Sequence, residues 1–121
     1  MKLRIRGNSI RLRLLKSEVA QLAEIGAVSE ATDFGGGSAL IYRIVADPDA
    51  GAAAASFEEG IVTVSLPKDE ANEWAADDEK IGIEAESGGL SILIEKDFAC
   101  LTRTDDPDNL DAFPNPELVC T

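Results

Sequence analysis

The sequence predicts an α+β domain that is mostly β, in which a duplicated unit of strand, helix and β-hairpin packs into a small barrel-like sheet with two short helices. Three observations predict this fold: runs that alternate apolar and charged residues, two short stretches with apolar residues at helical spacing, and a pattern that recurs after about 52 positions. The chain has 121 residues, of which 45% are hydrophobic and 5% aromatic. One mainly aliphatic core, and hence a single domain over residues 1–121, is therefore expected.

The first stretch, KLRIRGNSIRLRL, predicts a β-hairpin. Two period-two runs flank Gly7 and Asn8, which suit a type II′ turn with glycine at its first central position. That turn sets Arg4 opposite Arg11, and like charges that face each other across strands destabilise the pair. An anionic group is therefore expected over this side of the hairpin.

The charge of the chain is distributed unevenly. It carries 11 Lys and Arg against 23 Asp and Glu, with no His, for a net charge of -12. The candidate face for an anion or a partner consists of the basic residues on one side of the hairpin: Lys2, Arg4, Arg6, Arg11 and Arg13. Carboxylates of this chain or of a second copy are the expected counterions, and phosphate or nucleic acid is the alternative. The negative net charge opposes nucleic-acid binding, which depends on a positive field.

The last segment, residues 98–121, is acidic and rich in proline, which predicts a strap rather than a helix. Its candidate acidic residues are Asp105, Asp106, Asp108 and Asp111. Leu110 and Phe113 are the expected anchors to the core, and the arginines of the first hairpin are the expected partners of the acids. The segment lacks the central Gly and closing Glu of a calcium-binding EF-hand loop.

The elements of the first half follow in order. Ser17 is the expected N-cap of a short helix, and Gly26 is its expected end. The strands AVSEATDF and SALIYRIV come next, joined by three glycines, and ADPDAGAAAA is the expected linker to the second half.

The second half repeats the pattern. A turn at Glu59 and Gly60 precedes a strand, then a helix that starts near Asp69 and ends at Ala76, and then a hairpin that turns at Ser87-Gly88-Gly89. The expected repeats are roughly residues 1–46 and 53–97, packed about a pseudo-two-fold axis. The repeat matches Ile10 with Val62, Leu12 with Val64, Leu14 with Leu66, Leu22 with Trp74, and Leu40 with Ile92. The expected core residues are Leu3, Ile5, Leu12, Leu14, Leu22, Leu40, Val62, Val64, Trp74, Ile81, Ile83, Ile92 and Ile94.

The second unit, GIVTVSLPKDEANEWAADDEKIGIEAESGGLSILIEKD, resembles the swapped-hairpin module of the AbrB and MazE type. The matching features are a strand that ends in Leu66-Pro67-Lys68, a short helix and a hairpin. The resemblance implies an interleaved barrel, which two copies form in that family and which a tandem duplication can form within one chain. That family binds DNA through basic residues around the helix, whereas this unit is acidic there, at Asp69, Glu70, Glu73, Asp77, Asp78 and Glu79. DNA binding by the second unit is therefore not expected.

The whole chain also resembles a group of small bacterial proteins with no assigned function. The stretches that carry this resemblance are IRGNSIRLRL, EKDFACL and DAFPNP. It implies a bacterial, cytoplasmic protein and transfers no active site. The sequence shows no signal peptide and no apolar run long enough for a membrane span, which also favours the cytoplasm and predicts no membrane partner.

Few residues suggest a catalytic or metal-binding site. Cys100 and Cys120 are expected to be free thiols, while a disulfide or a metal site shared with nearby Asp residues is the alternative. The absence of His removes the commonest general base, and no pair of carboxylates stands out. No enzyme activity, no cofactor and no metal are therefore expected.

The function predicted is that of a non-enzymatic module that binds a protein partner or self-associates. The first alternative is a nucleic-acid-binding regulator that uses the basic hairpin. The second is a metal- or thiol-dependent activity at Cys100 and Cys120.

Overall fold

The computed structural model describes residues 1–97 and Phe113. The described part is mostly β, with two helices, as the sequence predicts. Its elements are β1 (Lys2–Arg6), β2 (Ser9–Leu14), α1 (Lys16–Ile25), β3 (Ala27–Gly35), β4 (Ser38–Asp47), β5 (Ala54–Glu58), β6 (Ile61–Pro67), α2 (Lys68–Ala76), β7 (Gly82–Ser87) and β8 (Leu90–Lys96).

The strands form two four-stranded sheets. Sheet A has the order β1-β2-β8-β7, and sheet B has the order β3-β4-β6-β5. Both sheets therefore keep two edge strands. Where β5 approaches β7, the backbone N–H of Ala55 donates to the Ser87 hydroxyl at 3.3 Å, which is a side-chain contact and not a ladder. The expected closed, barrel-like sheet is therefore wrong, because no ladder within the described part of the chain joins one sheet to the other.

Each sheet combines a hairpin from the first half with a hairpin from the second. α1 carries the chain from β2 in sheet A to β3 in sheet B, and α2 carries it back from β6 to β7. The inner strands come from different halves and run parallel, β2 beside β8 and β4 beside β6. Parallel neighbours need a long connection between them, which the exchange of hairpins supplies.

The strand registers relate the two sheets position by position. Ile10 pairs with Ile92 in sheet A, as Val62 pairs with Tyr42 in sheet B. The equivalent of Ile92 is thus Tyr42, and the expected match with Leu40 is wrong by two residues. The cause is the longer β3–β4 hairpin of the first half, whose tip extends further than that of β7–β8.

The helix ends follow local chemistry. α1 begins two residues earlier than expected: Leu15 is its N-cap, and the Glu18 carboxylate accepts the Leu15 N–H at 2.8 Å, so Ser17 lies inside the helix. Gly26, at φ 92°, ends α1 as predicted, and its N–H donates to the carbonyl of Leu22 at 3.0 Å. α2 follows Pro67 and ends at Ala76 as predicted.

One core joins both sheets and both helices. Of the expected core residues, those that are buried are Leu12, Leu14, Leu22, Val64, Trp74, Ile83, Ile92 and Ile94, and those that are partly buried against them are Leu3, Leu40 and Val62. Two expectations are wrong, since Ile5 is 61% exposed and Ile81 is 44% exposed. Ile5 lies near the tip of an edge strand, and Ile81 precedes β7, where its carbonyl rather than its side chain is used.

Candidate partner-binding face

The first hairpin has the register that its turn predicts. The φ of Gly7 is 53° and the φ of Asn8 is negative, as a type II′ turn requires. Arg4 lies opposite Arg11, and Lys2 lies opposite Arg13. The turn therefore places the basic residues together on one side of sheet A, and the apolar residues that alternate with them on β2 face the core.

The face of sheet A that points away from the core carries two groups of charge. The first group, called here the cationic stripe, lies on β1 and β2 and consists of Lys2, Arg4, Arg6, Arg11 and Arg13. The second, the acidic stripe, lies on β7 and β8 and consists of Glu84, Glu86 and Glu95. The registers arrange this face in three rows across β1, β2, β8 and β7: Lys2, Arg13, Glu95 and Gly82; then Arg4, Arg11, Leu93 and Glu84; then Arg6, Ser9, Ser91 and Glu86.

Glu95 connects the two stripes. Its Oε1 accepts hydrogen bonds from the Nε atoms of Arg11 at 2.5 Å and Arg13 at 2.6 Å. Burial by itself raises the pKa of Glu95, but the two arginines outweigh it and lower the pKa from 4.5. An internal carboxylate therefore neutralises part of the cationic stripe, as expected, and the acid comes from the second half of the chain.

The rest of the cationic stripe is only partly neutralised. Lys2 Nζ lies 3.1 Å from a carboxylate oxygen of Asp97. Neither Arg4 nor Arg6 has an ion pair with any acid in residues 1–97. Both side chains are exposed on the edge strand, so they are available to an external carboxylate or phosphate.

A shallow trough separates the stripes. It encloses about 690 Å³, with Arg4, Arg6 and Arg11 on one side and Glu84 and Glu86 on the other. Its floor includes Ser9, Ser91 and Leu93. The walls have opposite charge, so a surface that fits the trough must present both signs.

The predicted acidic strap, Asp105, Asp106, Asp108 and Asp111, lies outside the described residues, as do Cys100 and Cys120. Phe113 is described: it is 7% exposed and belongs to the core. Its N–H donates to the carbonyl of Asp97 at 2.8 Å. The expectation that Phe113 packs in the core is confirmed.

A buried ammonium group in this part of the molecule was not expected from the sequence. Lys96 is 2% exposed, and its Nζ donates to the carbonyl of Asp77 at 2.7 Å. The Nζ also lies 5.5 Å from the centre of the Trp74 ring and 5.2 Å from that of Phe113. Burial lowers the pKa of Lys96 from 10.5, partly offset by the charges of Asp78 and Asp77. The period-two pattern of β8 signals it, because Lys96 falls on the same side as Ile92 and Ile94.

A second buried cation is the N-terminal ammonium of Met1. It lies 2.6 Å from a carboxylate oxygen of Glu18 and 2.5 Å from one of Glu30. Burial lowers its pKa, but the two carboxylates outweigh that effect and raise the pKa from 8.0. These contacts join β1 of sheet A to α1 and to β3 of sheet B.

Within residues 1–97 and Phe113, no three His, Cys, Asp or Glu side chains converge as a metal ion would need. None of the helices in this part of the chain has the length and apolar character needed to cross a membrane.

Fold and face together define a mostly β, α+β domain whose two halves exchange hairpins and whose distinctive surface is a β-sheet face of mixed charge. The chain belongs to a family of unknown function, DUF7009, whose model matches residues 1–117. No curated protein and no solved structure matches it.

Proposed function

We propose that the protein is a non-enzymatic protein-binding module that acts through the outward face of sheet A. The cationic stripe binds carboxylates of the partner, and the acidic stripe sets the partner's orientation. The resemblance to small bacterial proteins makes the bacterial cytoplasm the proposed location.

The observation that carries this proposal is the contrast with the equivalent hairpin in sheet B. Strands β5 and β6 pair in the same register as β1 and β2. The residues that correspond there to Lys2, Arg4, Arg6, Arg11 and Arg13 are, in the same order, Ala54, Ser56, Glu58, Thr63 and Ser65. A hairpin of this shape thus forms without the cations, so the fold does not require five of them on one face.

A protein partner suits the face better than a nucleic acid. Glu84 and Glu86 line one side of the trough and would repel a phosphate backbone. The net charge of -12 adds a long-range repulsion to this local one. An acidic protein segment can instead place carboxylates on Arg4 and Arg6 and basic groups on the opposite wall.

The test is a binding titration of the full chain with a short peptide that has a glutamate half and a lysine half and, separately, with a short DNA duplex, each at low and at moderate salt. We expect the peptide to bind and the duplex not to bind. Arg4→Ser/Arg6→Ser, which introduces small residues like those of β5, should remove most of the peptide binding. Arg43→Ser is the matched control, because Arg43 is an exposed arginine on a strand of sheet B.

Two outcomes would contradict the proposal. Equal peptide binding by the double variant and the control would place the binding elsewhere. Salt-sensitive binding of the duplex that depends on Arg4 and Arg6 would favour the nucleic-acid regulator instead.

We also propose that the halves are an internal repeat, with units at residues 1–46 and 53–97, and that the chain is a single-chain version of the swapped-hairpin module. The exchange of hairpins between the sheets and the matching parallel pairs support both ideas. An experimental structure tests the repeat directly, since the two halves should superpose strand by strand.

A further inference from the structure

We infer that the partner is a second copy of this chain, whose sheet A stacks face to face on the first. This inference rests on the proposed function, because it uses the same face and names its occupant. The two copies are related by a two-fold axis that lies between the two stacked sheets. It runs parallel to the strands, above the gap between β2 and β8.

The strand order determines what such an axis brings together. A two-fold axis along the strands reverses positions across the sheet and preserves positions along it. The edge strand β1 of one copy therefore lies over β7 of the other, and β2 lies over β8. Every cationic strand then faces an acidic one.

The registers make this match hold residue by residue. Arg4 and Glu84 belong to one row, and Arg6 and Glu86 belong to the next. Because the axis keeps rows in place, Arg4 meets Glu84 of the second copy and Arg6 meets Glu86 of the second copy. Packed sheets lie about 10 Å apart, a distance that a facing arginine and glutamate can bridge together.

The same operation gives acceptable contacts at the centre of the face. Arg13 falls over Glu95 of the second copy, and Ser9 falls over Ser91 of the second copy, so no like charges are brought together there. Arg11 falls over Leu93, against which the stem of an arginine can pack. The contact is isologous, since each pair occurs twice.

The other two-fold arrangement of stacked sheets is unfavourable. An axis across the strands places β1 over β1 of the second copy, which sets the basic residues of β1 against one another. The charge pattern thus selects one of the two arrangements.

The expected dimer is weak. Four strands about 4.8 Å apart give a small footprint, which belongs to the size class of transient interfaces. The net charge of -12 on each copy also opposes association at long range, whereas contact pairs are screened less by salt. Dimerisation is therefore expected at high protein concentration and moderate salt.

The test is sedimentation velocity on the full chain over a range of protein concentrations. Arg4→Glu/Arg6→Glu and, separately, Glu84→Arg/Glu86→Arg should each weaken self-association by about tenfold or more, because like charges then face each other. An equimolar mixture of the two variants should associate again, since acid faces base on both sides. The variant with all four changes should also dimerise. Lys16→Glu/Lys68→Glu changes the net charge as much as the first variant does, at exposed helix positions, and is the control.

Two results would overturn the inference: a wild-type chain that stays monomeric at every concentration, or variants that fail to recover association when mixed. Either result leaves the peptide titration unaffected. A monomer that binds the peptide of mixed charge through Arg4 and Arg6 would refute the second copy as the partner and retain the proposed function. A chain that neither binds the peptide nor self-associates would refute both.

Discussion

Sheet A and sheet B have the same strand layout, but their outward surfaces differ in charge. The outward side of sheet A holds five cations and three acids, whereas the equivalent strands of sheet B carry mostly small or uncharged residues. Arg43 on β4 is the basic residue of sheet B, and its Nε donates to the Thr63 hydroxyl at 2.9 Å. Because the same strand layout forms with different outward residues, the exchange of hairpins does not require the charges on the outward face of sheet A.

The ends of the inner strands differ as well. The last inward position of β8 is Lys96, and its equivalent on β4 is Ala46. Lys96 lies between Trp74 and Phe113, whereas the helix residue equivalent to Trp74 is the smaller Leu22. The junction between helix and inner strand is therefore larger and more polar in sheet A, where it contains Trp74 and Lys96, than in sheet B, where it contains Leu22 and Ala46.

Trp74→Ala should have the largest effect. Trp74 is fully buried, and its Nε1–H donates to the carbonyl of Ile81 at 3.1 Å. We expect a loss of about 3–5 kcal/mol in the free energy of unfolding, measured in urea. Leu22→Ala at the equivalent position should cost less, and equal losses would show that the two junctions contribute alike.

Phe113→Ala should follow. The ring is buried and stacks near Lys96 Nζ, so its removal exposes the ammonium group and loses apolar burial. We expect a loss of about 1.5–3 kcal/mol in the free energy of unfolding. A loss near zero would mean that Phe113 does not anchor the last segment to the core.

Glu95→Gln should cost about 1–2 kcal/mol at neutral pH, because two arginines lose a charged acceptor. The pKa of Glu95 is lowered on folding, so its contribution is present above pH 4.5 and is lost as the pH falls through the folded value. The difference in unfolding free energy between wild type and variant should therefore shrink below pH 4.5. Glu84→Gln is the control, and a constant difference down to low pH would contradict the role of Glu95.

Glu59→Gly should stabilise the protein by about 0.5–1 kcal/mol. Glu59 has φ 52° at the turn position where the first hairpin has Gly7 at φ 53°. A non-glycine residue is strained in this region, and glycine removes the strain at some cost in unfolded-state entropy. Thermal denaturation measures the gain, and Gly7→Glu, the reciprocal change, should lower the midpoint.

Arg4→Ser/Arg6→Ser should have the smallest effect on stability, within about 0.5 kcal/mol. Both arginines are exposed and lack an ion pair within residues 1–97, and their equivalents in sheet B are not basic. Urea midpoints for wild type and variant should coincide. A large loss would mean that the fold, rather than binding, requires the cations.

Much of the local structure is predictable from the sequence. Gly7 and Asn8 set the register of the first hairpin, and Gly26 ends α1, because both effects depend on the conformation of a few adjacent residues. The basic residues of the candidate face can be predicted from the same register. The carboxylate that neutralises Arg11 and Arg13 cannot be predicted in this way. Glu95 lies more than 80 positions along the chain from Arg11 and reaches it through the pairing of β2 with β8.

The errors have a common physical origin. Alternation predicts that Ile5 faces inward, but it cannot show that an edge strand near its tip lacks neighbours to cover it. Helical start signals favour Ser17, but Glu18 caps the backbone of Leu15 and shifts the start. The duplicated unit was expected to pack into one small barrel-like sheet, whereas its four hairpins form two separate sheets.

The sequence by itself determined the predominance of strands, the two short helices, the first hairpin and the concentration of positive charge on one side of it. These features depend on backbone preferences and side-chain alternation over a few residues. Only the tertiary structure decided that hairpins are exchanged between sheets, that Glu95 joins Arg11 and Arg13, and that Lys96 is buried between two aromatic rings. Those features depend on which distant strands pair, and that choice is made by burial of the shared core rather than by any local signal.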